Sequence, residues 1–376
     1  MFDYTDPLYG KLPISKAETE LFQTPQLARL RDISLSAVPT IMLPWGKIAS
    51  RFEHSVGVAH LAKLVAEQTN FSISGQDLIF AGLLHDVGSP PFSHLTEIFL
   101  EEKLGKTHEQ FVEEVLESSE VWTIIQKYGG HPETIFALIN GKQSPFGPLI
   151  AGTIDLDNLD NTLRFGIGAG LIKRLYEPEN LARAFGLINQ KLFLADTVKR
   201  DIDGWEFCRE QVYTAVYSDT NLASGTMLVR AIELAFRAGD ISEDFFFRTD
   251  HQALYLLENT CNPATQMLTN NARLWKHYHK AAEIITTSPS PAMRELCRDK
   301  SHWGKVADTI ATELTIPPEE VTVHIDKDKG YKQIDIPPFD AHAPRQQLRY
   351  MLQVYLHPRH TNLQPQVDKL LHQLIS

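Results

Sequence analysis

The chain has 376 residues, 43% hydrophobic and 22% charged, which is ample apolar material for a sizeable core and excludes a disordered polypeptide. A formal net charge of −11 and the lack of a long basic run disfavour a protein that grips nucleic acid electrostatically, though not one that acts on a small nucleotide. The apolar run 78–84 is far short of the ~18 residues that suggest a membrane span, Met1–Asp6 does not resemble a signal peptide, and Cys208, Cys261 and Cys297 are too scattered for a disulfide framework, so a soluble, reduced, cytoplasmic protein is expected.

Most of the chain reads as helix, with little alternating apolar pattern before residue 320. Asp6–Gly10 makes a turn into a helix over 15–23, and Pro25 opens a short helix over 25–36. Apolar residues at helical spacing predict helices from Glu53 to Glu67 and from Gln76 to Asp86, the second stopped by Gly88, Pro90 and Pro91. Thr107 and Gln110 form a capping-box pattern for a helix from about 108 to 128. Further helices are expected at 132–140, 153–165, 205–219, 223–238 and 249–258. The Pro- and Ser-rich stretch Thr286–Pro291 is the best linker, dividing a helical body over 1–285 from a small α/β unit over 292–376. In that unit Val321–Ile325 alternates as a strand, Asp326–Gly330 turns, and Tyr331–Ile336 returns, predicting a β-hairpin followed by helices near 344–356 and 364–375. The fold class is mostly α with a small α/β C-terminal unit.

His54 shares a helical face with Val58, Leu61 and Val65 and so points inward, where a lone histidine is ordinarily a core residue; His60 lies off that face. His85 and Asp86 end an apolar helix, and a buried carboxylate beside a buried imidazole is costly unless something positive sits between them. A divalent cation satisfies both. Asp155 and Asp157 fall in the first turn of a helix that Thr153 can cap, a place the helix dipole favours for carboxylates in any case. Taken together, His54, His85, Asp86 and one of these two aspartates make a mixed nitrogen–oxygen ligand set, suited to one divalent metal ion such as Mg, Mn, Fe or Zn.

The ordered segments Arg51-Phe52-Glu53-His54-Ser55, His85-Asp86-Val87-Gly88-Ser89-Pro90-Pro91-Phe92-Ser93-His94 and Asp155-x-Asp157 resemble the HD-domain phosphohydrolases, and among them the deoxynucleoside triphosphate triphosphohydrolases. Asp6–Gly10 and Thr24–Arg31 resemble the same family's N-terminal segments, so the likeness covers roughly residues 6 to 235. It implies an HD-domain helical body whose core spans about 50–165, with one metal held by His54, His85, Asp86 and Asp157; Asp157 is preferred to Asp155 because the family ligand is the second aspartate of its Asp-x-Asp. It also implies that His94 and Glu97 form an acid–base pair, the carboxylate fixing the imidazole tautomer. His108, in Thr107-His108-Glu109, resembles a family histidine that helps at the phosphates, against the plainer reading of a first helical residue. Arg51, one turn before His54, is expected at the phosphates, and Arg209 and Tyr217 match by spacing a phosphate-binding arginine and a sugar-packing tyrosine. His131 reads as a loop residue.

Departures from the family concern the sugar and the activator. Phe165 stands for a sugar-reading aspartate, Asn158 and Asn161 for a lysine and a tyrosine, and Gln23 and Ala28 for the pair that binds a guanine activator in the vertebrate members. The expected activity is a metal-dependent phosphohydrolase acting on nucleotides, foremost the release of nucleoside and triphosphate from a (deoxy)nucleoside triphosphate. A nucleotidase or phosphodiesterase with the same metal, and a nucleotide-binding regulatory protein without turnover, are the competing readings. Relatives are homo-oligomers, so self-association is expected by analogy.

Overall fold

The helix Arg51–Ala66 is buried along almost its whole length and on nearly every side, which is unusual for a helix that carries Arg, Glu and two His. Its start is fixed by a capping box: the Ser50 hydroxyl accepts from the Glu53 backbone N–H while the Glu53 carboxylate accepts from the Ser50 N–H. Around it pack the helices Gly75–Leu84, Leu156–Gly168 and Pro178–Ala184. Two glycines permit this closeness. A Cβ on Gly82 would sit 3.2 Å from the Ala59 nitrogen, and a Cβ on Gly57 would sit 2.1 Å from Asp160 Oδ2.

This computed structural model describes residues 2–68, 75–117, 119–298, 302–327, 334–341 and 347–375. Among them, none of the helices is long and apolar enough to cross a membrane. The chain opens with an antiparallel hairpin, Phe2–Asp6 against Gly10–Ile14, whose turn brings Asp6 and Tyr9 against the helix Leu156–Gly168. A second hairpin joins Phe185–Ile188 to Lys191–Leu194. The helix Asp219–Ala238 is the spine of the second half, packing on Pro263–Arg273 and on the strand Val321–Lys327.

The mostly helical fold is the expected one, and several elements differ in detail. The helix expected over 108–128 is two, His108–Glu117 and Val121–Lys127. Asp155, not Thr153, caps the helix Leu156–Gly168, its Oδ1 accepting from the Asn158 N–H at 2.6 Å. The antiparallel partner of Val321–Lys327 is Tyr350–Leu356, not a return strand at 331–336; residues 334–336 form no strand and 331–333 lie outside the described residues. Tyr350–Leu356 is thus a strand where a helix was expected. It is the central strand of a three-stranded sheet, buried on both faces, so its apolar run carries no alternation to betray it. The third strand, His279–Thr286, lies before the Thr286–Pro291 segment and pairs with Tyr350–Leu356 beyond it, so the sheet draws on both sides of that segment.

Gly57→Ala turns on this packing. In an ordinary helix interior the change adds stability, by roughly 0.5–1 kcal/mol; here the methyl enters the space of the buried Asp160 and Arg164 side chains. The expected result is a net loss of about 1–3 kcal/mol, measured as a lower midpoint in thermal or urea denaturation.

Candidate metal centre

Three separate stretches deliver the ligand candidates to one point. His54 lies in the first turn of its helix, His85 and Asp86 in the turn that follows Leu84, and Asp157 in the first turn of the helix capped by Asp155. His54 Nε2 is 3.0 Å from Asp157 Oδ1 and 3.2 Å from His85 Nε2. Ligand atoms of His54, His85 and Asp157 all lie within 4.8 Å of one another. Asp86 Oδ2 approaches the two imidazoles at 3.8 and 3.6 Å. Asp155 is set apart from Asp157 by its capping work, which also takes the Gly152 N–H.

The outer nitrogens decide which way the lone pairs face. His85 Nδ1 is 2.9 Å from the Gly82 carbonyl, which can only accept, so this nitrogen carries the proton and a neutral His85 turns a bare Nε2 inward. His54 Nδ1 donates likewise to Asp160 Oδ1 at 2.7 Å. Two bare imidazole nitrogens and two carboxylates then converge, an arrangement that repels itself unless a positive charge enters. Burial works against a charged His54, yet its hydrogen bonds to Asp157 and Asp160 push it up to about 9. Burial alone would raise Asp86, but Arg51, with His85 and His54, holds its carboxyl well below the usual range. The donor set fits a divalent metal, which would displace the His54 proton.

Support behind the ligands comes from residues that sequence patterning did not single out. Asp160 receives His54, the Arg164 Nε and Nη2 at 2.8 Å each, and the Tyr9 hydroxyl at 2.8 Å; Arg164 also reaches Asp6 at 3.0 Å. The available signal was the Asp157–Asp160–Arg164 spacing, three and then four residues along one helix. Arg51, expected at the phosphates, is engaged within the fold. It is buried, with Nη1 donating to Asp86 Oδ2 at 2.6 Å and Nε to Ser93 Oγ at 2.7 Å, so it joins the candidate ligand Asp86 to the segment that carries His94.

That segment is held in an uncommon shape. Phe92 and Ser93 both have left-handed backbones, with φ of 61° and 50°. Asp250, from a distant helix, fixes them: its carboxylate accepts from the Phe92 N–H at 2.9 Å and the Ser34 N–H at 2.8 Å. His94 then stands half-exposed, its Nδ1 2.8 Å from Glu97 Oε1, on the wall of a cavity of about 180 Å³. Asn161, Phe165, Arg209 and Tyr217 line the same cavity. Arg209 donates to Asn158 Oδ1 at 2.9 Å and covers the Tyr213 ring at 4.4 Å. His108 opens its helix, but its side chain lies outside the described residues. His131 bonds Asp77 at the start of another helix, in keeping with a loop role.

Two substitutions separate ligand from support. Asp86→Ala is expected to abolish both bound metal and turnover, and Asp160→Asn to weaken metal binding by roughly 10–100-fold while leaving the ligands in place. Metal analysis of the purified variants after equilibrium dialysis measures both; undiminished binding in Asp86→Ala would remove that residue from the ligand set.

Residues 51–164 match the HD domain family. An uncharacterized protein of Bacillus subtilis is 25% identical over 298 residues, which is 76% of this chain and 88% of that one. The human deoxynucleoside triphosphate triphosphohydrolase SAMHD1 is 32% identical over 160 residues, 38% of this chain but 25% of the human protein. Among solved structures, a hypothetical protein from Aquifex aeolicus superposes with a TM-score of 0.75 at 20% identity, covering 96% of this chain and 98% of its own. A phosphohydrolase from Bacteroides thetaiotaomicron does so with a TM-score of 0.69 at 18% identity, covering 95% and 100%. At such identities these two share the fold. The matched stretch begins at Arg51, ends at Arg164 and contains His54, His85, Asp86, Asp157 and Asp160, so it is this part of the chain that is similar to the HD domain.

Proposed function

We propose that the protein is a metal-dependent phosphohydrolase of nucleotides, cleaving a (deoxy)nucleoside triphosphate at the α-phosphate to release nucleoside and triphosphate. The observation that carries this reading is the convergence of His54, His85 and Asp157 beside a cavity that also holds the His94–Glu97 pair. A divalent ion held by His54, His85, Asp157 and Asp86 would supply Lewis acidity at a phosphoryl oxygen and lower the pKa of a water.

The remaining work falls to the chain's own side chains. Glu97 holds the Nδ1–H of His94 and leaves Nε2 to exchange a proton with the reacting oxygens. Hydrolysis breaks the bond between the α-phosphorus and the nucleoside O5′, and that oxygen takes up a proton as the water gives one up. Being half-exposed, His94 can recover its proton from solvent between turnovers. Arg209 is anchored through Asn158 to the helix of Asp157, which supports its role as a cation for the phosphates. The same reading has the protein work in the cytoplasm as a homo-oligomer.

A panel of nucleotides assayed with each divalent metal, reading phosphate, pyrophosphate and triphosphate separately, distinguishes this reaction from a nucleotidase or a phosphodiesterase. His94→Ala is expected to keep its metal and lose roughly 10²–10⁴-fold in rate. Turnover near the unmodified level in that variant would reduce His94 to a structural residue.

A further inference from the structure

Part of the wall of the cavity beside His94 comes from outside the HD domain. Trp303, His324 and Asp326 line it from the C-terminal unit, together with Tyr213 and Tyr217 of the body. The rings make a continuous row across the seam. Centroids of Tyr213 and Tyr217 are 6.0 Å apart, those of Tyr217 and His324 6.2 Å, and those of His324 and Trp303 5.4 Å.

The seam is fastened at two points. The Tyr217 hydroxyl donates to the Lys327 carbonyl at 3.2 Å, and the buried hydroxyls of Thr226 and Thr322 pair at 2.9 Å. Both bonds tie the strand Val321–Lys327 to helices of the body, so His324 cannot withdraw while they hold. On the helices of the body the cavity offers charge and amide groups, through Arg209, which bonds the Asn158 next to Asp157, and Asn161. Elsewhere it offers aromatic rings, with the carboxylate of Asp326 among them. A ligand that matches this division has an anionic end and a planar aromatic end. Aromatic faces hold nucleobases with little regard to sequence, and a carboxylate favours bases that present N–H groups.

We propose that the C-terminal unit supplies the base-binding wall of the substrate site, with Trp303 and His324 as specificity-determining residues for the nucleobase. The proposal rests on the phosphohydrolase reading for the identity of the ligand, but not for the existence of the wall. Trp303→Ala and His324→Ala should raise KM for deoxynucleoside triphosphates by about 5–100-fold, the range of one lost stacking partner, with kcat and metal content little changed. Trp303→Phe keeps a ring face and should restore most of the loss. Because Trp303 is buried, His324→Ala and Trp303→Phe serve if Trp303→Ala does not fold. An unchanged KM for all four deoxynucleoside triphosphates in folded His324→Ala and Trp303→Ala, or in His324→Ala alone if Trp303→Ala does not fold, overturns the wall while leaving the reaction intact. Tryptophan quenching by deoxynucleoside triphosphates in buffer with EDTA separates the two ideas. Quenching by the unmodified chain that weakens in His324→Ala supports the wall even if no nucleotide is hydrolysed, and no quenching by any of the four overturns it.

Discussion

The carboxylate of Asp160 is the point on which the site depends. It lies fully buried and accepts from the His54 imidazole, both arms of Arg164 and the Tyr9 hydroxyl. A buried carboxylate is tolerable only when its lone pairs are taken and its charge is matched, and Arg164, His54 and Tyr9 meet both conditions. The same contacts join the N-terminal hairpin, the central helix and the helix of Asp157 into one unit. Removing Arg164 would leave the carboxylate buried without its matching charge, a cost of about 3–5 kcal/mol. Geometry around His54 is therefore set by the fold before any metal arrives.

A second layer of charge acts on the opposite side. Arg51 holds Asp86 ionised and ties it through Ser93 to the turn that presents His94. The candidate metal centre and the turn that carries His94 are thus linked by one guanidinium, so a disturbance at either is felt at the other. Arg51 is the kind of arginine that sequence patterning assigns to phosphate, since its spacing from His54 puts it on the right face; its burial and its two bonds show work inside the fold that spacing does not record.

What could be read from the sequence follows the range of the interactions. His54, His85 and Asp86 stood out as candidates because an apolar helix that ends in His-Asp is a local contradiction that asks for a cation. The choice between Asp155 and Asp157 was not legible from spacing, because both sit in a first helical turn, and only the cap geometry shows that Asp155 is occupied. Asp160 and Asp250 act through partners far along the chain, at separations of 106 and 158 residues, and no periodicity records such pairs. Tyr350–Leu356 escaped for a different reason: a strand covered on both faces has the composition of a buried helix.

The left-handed Phe92–Ser93 pair has a consequence in time as well as in space. Each such residue costs of order 1–3 kcal/mol unless its surroundings hold it, and part of the holding comes from Asp250. During synthesis the ribosome releases His54, His85, Asp86 and Asp157 well before that carboxylate emerges. A nascent chain can gather its metal ligands early, yet the turn that aims His94 gains its anchor only after more than half the protein has been made. The turn that carries His94 is thereby set later than the cluster of His54, His85, Asp86 and Asp157.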